Sequence, residues 1–253
     1  MKSFLSLACL LLFTSVTEAR QSARPVTMEA GAPLAGSERI VAGTEQFLLY
    51  TLSDSLRLPH SLLTRTVESD RTVGREIIRV IQRYDGSDGV SIDTSTAVKA
   101  TLLPISYASW LPGESQRFTF GSDKVEGVIS APGEPAQTVE FSLDTPVYNA
   151  VILEELVKAV PLSEGAVLDF HTYNPGRNTL SNTLRVVGTE SISLANGATA
   201  DTWVLSFEGG PLPTTAWVSQ GSQQLIRMRT DLPNGTEFWK VRLYPVAERQ
   251  MDR

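Results

Sequence analysis

Residues 118–143, FTFGSDKVEGVISAPGEPAQTVEFSL, decide how the chain folds. Phe118-Thr119-Phe120, Val125 to Ile129 and Val139-Glu140-Phe141-Ser142-Leu143 each repeat with period two. Successive strand side chains point to opposite faces, so each run places its apolar residues on one side of a sheet. Between the last two runs, Ala131-Pro132-Gly133-Glu134-Pro135 is a loop, since Gly tolerates positive φ and Pro fixes the turn entry. The same alternation returns in Trp203, Leu205 and Phe207 and in Trp239, Val241 and Leu243. Further turn signals stand at Asp85–Gly89, Leu111-Pro112-Gly113, Ala195-Asn196-Gly197 and Pro233-Asn234-Gly235. Asn234-Gly235-Thr236 is also a formal glycosylation sequon, but Asn-Gly reads first as a hairpin turn. Short runs with short connections predict an antiparallel meander of about ten strands.

Two segments need separate readings. Residues 75–84, REIIRVIQRY, put Ile78 and Val80 on one strand face and Ile77 and Ile81 on the other; a short helix is the alternative, and the β-branched content favours a strand. Residues 151–160, VILEELVKAV, carry apolar residues at helical spacing, with Glu154 and Glu155 early, Lys158 late and Pro161 as the stop. Glu154 and Glu155 point about 100° apart on a helix and read as a solvated first turn. One helix in a meander predicts a mainly β fold: a curved half-barrel or open barrel with one covering helix, whose concave face is filled by side chains or by a ligand.

The N-terminal MKSFLSLACLLLFTSVTEAR has the three parts of a secretory signal: Lys2, an apolar run from Phe4 to Phe13, and small residues before a cut after Ala19. The run is too short to span a bilayer and no second one follows, so no transmembrane segment is expected after cleavage. Cleavage removes Cys9, the only cysteine, leaving a chain that depends on its apolar core. The expected organisation is a signal peptide over 1–19, a flexible Ala/Gly/Pro/Ser-rich tether over 20–38, one β-rich domain over 39–246, and a polar tail over 247–253. The expected location is the periplasm or the extracellular space.

The 253 residues carry a formal charge of −6, with 42% hydrophobic and 20% charged residues. That is a globular composition, and the acidic balance argues against nucleic acid, which demands a basic face. Two histidines far apart, His60 and His171, predict no metal site, and no cofactor is expected. Asp169 shares a strand face with His171, read as an exposed polar pair. There is no Gly-x-Ser-x-Gly, and Gly209-Gly210 precedes Pro211 rather than a helix. Asp144-Thr145-Pro146 lacks both the glycine and the second copy an aspartic protease needs. No catalytic residue is assigned.

Several stretches together carry a resemblance: Leu102-Leu103-Pro104-Ile105-Ser106-Tyr107, Asp144-Thr145-Pro146-Val147-Tyr148-Asn149 before the helix, and Pro161-Leu162-Ser163-Glu164-Gly165 after it. A late hairpin, Ala216-Trp217-Val218 returning through Gln224-Leu225-Ile226-Arg227, completes the order. This order resembles an exported bacterial family of unknown function that is itself similar to the LolA and LolB lipoprotein carriers. The resemblance implies an antiparallel half-barrel with helical cover and no catalytic residue.

The leading expectation is therefore a carrier holding a lipid-like ligand. Its candidate lining is Phe118, Phe120, Phe141, Leu156, Val160, Trp203, Leu205, Phe207, Trp217 and Trp239. Burial at about 25 cal/mol per Å² would hold an acyl chain without a charged anchor. The alternative is a non-enzymatic envelope interaction or assembly protein with a filled core and a protein partner. A third reading, an enzyme, would need a histidine, an acid and a hydroxyl to converge in a cleft.

Overall fold

The computed structural model describes residues 26–72, 74–173, 179–194, 196–210 and 212–244; the expected signal peptide and polar tail lie outside them. From the N-terminal side the chain forms β1 (Val26–Met28), β2 (Gly43–Ser53), β3 (Leu56–Thr72), β4 (Arg75–Gly86) and β5 (Gly89–Val98). It continues through β6 (Pro104–Leu111), β7 (Glu114–Phe120), β8 (Lys124–Ser130) and β9 (Gln137–Ser142). After β10 (Tyr148–Asn149), a 3-10 turn (Ala150–Ile152) leads into α1 (Leu153–Ala159). Then come β11 (Val167–Tyr173), β12 (Thr179–Ser193), β13 (Thr199–Glu208), β14 (Thr214–Ser219), β15 (Leu225–Asp231) and β16 (Glu237–Leu243).

Two antiparallel meanders, β2 to β9 and β11 to β16, join through the antiparallel β16–β2 pair into one sheet. Its edges, β1 and β9, do not pair, so the sheet is curved and open rather than a closed barrel. The fold is mainly β with one covering helix. Parallel pairs occur where β1 and β10 add to β11. No helix among the described residues is long and apolar enough to cross a membrane.

Residues 75–84 are strand, with Ile78 and Val80 fully buried and Ile77 and Ile81 on the more open face. The turn signals fall where expected: Gly113 (φ 89°) and Gly235 (φ 80°) sit in hairpin turns whose left-handed backbone favours glycine. Asn234 Oδ1 accepts from the Thr236 hydroxyl at 2.7 Å, so the formal sequon is a hairpin turn in the fold.

The segment expected as a tether is instead part of the fold from Val26 onward. Ala30 and Leu34 are buried in the main core, and Leu34 N–H donates to the Ala100 carbonyl at 2.9 Å. Its small residues read as flexible, yet they permit close approach: a Cβ on Gly36 would stand 2.8 Å from the Ala159 carbonyl oxygen. Gly36 N–H donates to that oxygen at 2.9 Å, and Arg39 Nη1 donates to the Lys158 carbonyl at 3.3 Å. From the β14–β15 turn, Gln223 Nε2 donates to the Val157 and Val160 carbonyls at 2.9 and 2.8 Å. The last carbonyls of a helix lack partners within it, and here Val157, Lys158, Ala159 and Val160 all receive one from elsewhere. The helix ends because a residue before proline favours extended backbone; Val160 has φ −89° and ψ 150°.

The apolar residues form three clusters. The main one lies between α1 and the concave face, built on Phe47, Leu63, Ile78, Leu156, Val160 and Leu205. A second gathers at the β6–β9 end around Phe118 and Tyr173. There Gly127 leaves room for the Phe118 ring, which a Cβ would meet at 2.2 Å. The third, Ile192, Trp217 and Ile226, lies on the opposite face of the sheet.

Candidate functional site

Glu155, Leu156, Val157, Lys158 and Ala159 are all buried, so α1 is enclosed by the curved sheet rather than half-solvated. This overturns the reading of Glu154 and Glu155 as a solvated first turn. The side chains of Arg65 on β3 and Glu155 are both 0% exposed and form a direct ion pair. Arg65 Nε also stands 3.5 Å from Glu154 Oε1, so one guanidinium reaches both neighbouring carboxylates. Glu154 accepts in turn from Lys240 of β16. Lys158 Nζ lies 3.5 Å from both Glu155 and Glu45, and Arg242 Nη2 lies 3.0 Å from Glu45. Four cations and three carboxylates thus join α1 to β2, β3 and β16.

The field of this network sets the protonation of Glu154. Burial pushes its carboxyl up, but Arg65, Lys240 and Lys158 together outweigh burial and hold it down at about 2, against 4.5 ordinarily. Such a carboxylate stabilises the fold fully above its unfolded value and loses that contribution as pH falls from about 4.5 to about 2. The expected loss is about 3 kcal/mol at most. Urea midpoints at pH 7 and pH 3 should show it, and Glu154→Gln should flatten the profile over that interval.

Beside the network lies a cavity of about 440 Å³, open on one side, between α1 and strands β12 to β16. Its wall is mainly apolar: Leu153 and Val157 from the helix, with Phe207, Val218, Leu225 and Met228 from the sheet. Glu154, Lys240, Gln82 and Asn182 give it a polar side. A smaller cavity of about 240 Å³ shares Gln82, Ala150 and Val151 with it and is lined otherwise by Tyr84, Asp93, Tyr107 and Asn149.

Residues 49–242 match the family described as protein of unknown function, DUF3108. The chain belongs to the DUF3108 family. No curated protein matches it. The DUF3108 span contains α1, both cavities and every member of the charged network except Glu45. It leaves out β1 and the Gly36–Arg39 segment that closes the helix end.

Within this family member the ten residues expected to line one groove are distributed over three places. Leu156, Val160, Trp203, Leu205 and Phe207 lie in or against the main core. Phe118, Phe120 and Phe141 belong to the second cluster. Trp217 and Trp239 face the other side of the sheet, their rings stacked 5.9 Å apart with Arg227 above both. Phe207 alone of the ten lines the larger cavity. Alternation fixes which residues of a strand share a face, but not which face turns inward, and a register shift between Trp217 and Val218 alters the pairing there.

Gln82 and Arg65 were legible only as irregularities, and Lys240 only as the polar alternate of an apolar strand. Leu63, Arg65 and Val67 put a charge in the middle of an apolar face, the one signal in sequence of a buried ion pair. Among the described residues neither histidine is hydrogen-bonded to an acid. His171 Nδ1 pairs with the Ser181 hydroxyl at 3.2 Å while Asp169 accepts from Thr183. His60 pairs with Thr51 and lines a cavity with Ser87 and Asp88, but Ser87 donates to Asp88. Among the described residues no three His, Cys, Asp or Glu side chains group as metal ligands.

Proposed function

We propose that the protein is a non-enzymatic carrier, exported to the periplasm or beyond, that holds an acyl-like ligand between α1 and the concave face. The carrying observation is the cavity of about 440 Å³ with its mainly apolar wall. It falls within the range of small-molecule sites, about 300–1,000 Å³. The β14–β15 hairpin, one of the stretches that carry the resemblance read from the sequence, supplies Ala216, Val218 and Leu225 to that wall. Export rests on the N-terminal leader of the sequence.

Native mass spectrometry and solvent extraction of the purified protein test the reading. A lipid mass that leaves on unfolding is expected, together with binding of the apolar dye N-phenyl-1-naphthylamine. Thr230→Trp, at a partly exposed position of the cavity wall, should reduce dye binding by about tenfold or more by filling the space. A protein that carries no lipid and binds no dye would leave the envelope interaction reading. That second reading draws on the opposite face, where Tyr50, Trp239 and Trp217 stack in sequence beneath Arg57 and Arg227.

A further inference from the structure

The smaller cavity differs from the larger in chemistry, not only in size. Asn149 is 0% exposed, and its Oδ1 accepts from Val151 N–H at 2.9 Å. Its Nδ2 is buried with no hydrogen-bond partner among the described residues, in a residue that lines the cavity. A buried amide N–H without an acceptor costs about 1–3 kcal/mol, so a site that keeps one is poised to donate. Across the same space, Tyr107 Oη donates to Asp93 at 2.9 Å and Tyr84 Oη donates to Gln82 Oε1 at 2.6 Å. Burial pushes both phenols above their usual range, so both remain neutral and their oxygens can accept.

Charge selects among head groups. Of the lining residues only Asp93 is charged, which disfavours a carboxylate or phosphate next to it. A hydroxyl-bearing ester suits the lining: its oxygens accept from Asn149 and its hydroxyls donate to Asp93 or the phenol oxygens. Gln82 stands between the two cavities, and its amide reaches the Val151 carbonyl at a long 3.4 Å.

We infer that the ligand is a neutral amphiphile. Its acyl chain occupies the apolar cavity, its hydroxyl-bearing head occupies the Asn149–Asp93 compartment, and the two parts meet at Gln82. This deepens the carrier reading and rests on it.

Displacement of N-phenyl-1-naphthylamine by 1-monopalmitoylglycerol and by palmitate, which share a chain and differ in the head, tests the inference. Monopalmitoylglycerol should displace the dye at a concentration about tenfold lower than palmitate. Asn149→Asp keeps the oxygen that accepts from Val151 N–H and removes the donor. It should weaken monopalmitoylglycerol about tenfold while the dye changes little, since Asn149 does not line the apolar cavity. Asp93→Asn, at a partly exposed position, should narrow the gap by improving palmitate. Equal displacement by both lipids, or an Asn149→Asp protein that binds the glyceryl ester as tightly as the unaltered protein does, would overturn the neutral head alone. A dye that fails to bind at all would overturn the carrier reading and this inference together. Should Asn149→Asp fail to fold, Asp93→Asn decides the matter by itself.

Discussion

Arg65→Ala is expected to lower stability by about 3–5 kcal/mol at neutral pH, measured by urea unfolding. Arg65 and Glu155 are both fully buried, and removing the guanidinium leaves Glu155 with Lys158 alone, 3.5 Å away. Glu154 retains Lys240 but loses the second cation that offsets its burial. The large cost belongs to stranded charge, not to the intrinsic worth of the pair, since moving both ions out of water is itself unfavourable. Three further results are expected. The double change Arg65→Met with Glu155→Leu should recover most of the loss, because it leaves no fully buried carboxylate unpaired: Glu154 keeps Lys240 and Lys158 keeps Glu45. Acidification should shrink the cost of Arg65→Ala, because a protonated carboxyl no longer needs the missing cation. Arg65→Lys should fall between, as an ammonium is a point charge that cannot span both carboxylates as a planar fork does. A cost below about 1 kcal/mol for Arg65→Ala would mean that water reaches the network and screens it.

This result also marks the border of what the sequence shows. The period of two between Phe118 and Leu143 foretold the strands, the Gly-bearing turns foretold their hairpins, and Pro161 foretold the helix end, because each is a local rule. Glu154 and Glu155 read as solvated because solvation is the usual state of a charged first turn. Their burial depends on Arg65, ninety residues away in the chain, and on a sheet curved tightly enough to enclose α1. The site failed to be legible for a related reason. Trp217 and Phe207 both alternate correctly within their strands, yet lie on opposite faces, since facing is settled by pairing across strands and by the register shift beside Trp217. Residues 26–38 were misread because small residues signal both flexible chain and close packing, and only the partner surface tells the two apart.

Tyr173→Ala is the second substitution expected to cost about 3–5 kcal/mol, and Tyr173→Phe is its control. Tyr173 ends β11, is 1% exposed, and places its ring 5.6 to 6.1 Å from those of Phe118, Phe120 and Phe141. The sheet's hydrogen-bonded path does not close between β9 and β1, so side chains rather than ladder bonds hold the β7–β9 end against β11. Removing the ring opens a cavity among three aromatics that cannot readily collapse on a sheet frame. The hydroxyl is another matter: Tyr173 Oη is buried with no partner among the described residues, so Tyr173→Phe should cost less than about 1 kcal/mol or stabilise slightly. Hydrogen exchange separates a local from a global effect. In Tyr173→Ala the β7 to β9 amides should exchange faster than those of β2 to β4, whose core contacts with α1 remain. Uniform acceleration would mean that the two ends of the sheet unfold as one unit, and that the aromatic contact at Tyr173 supports the curvature on which the apolar cavity depends.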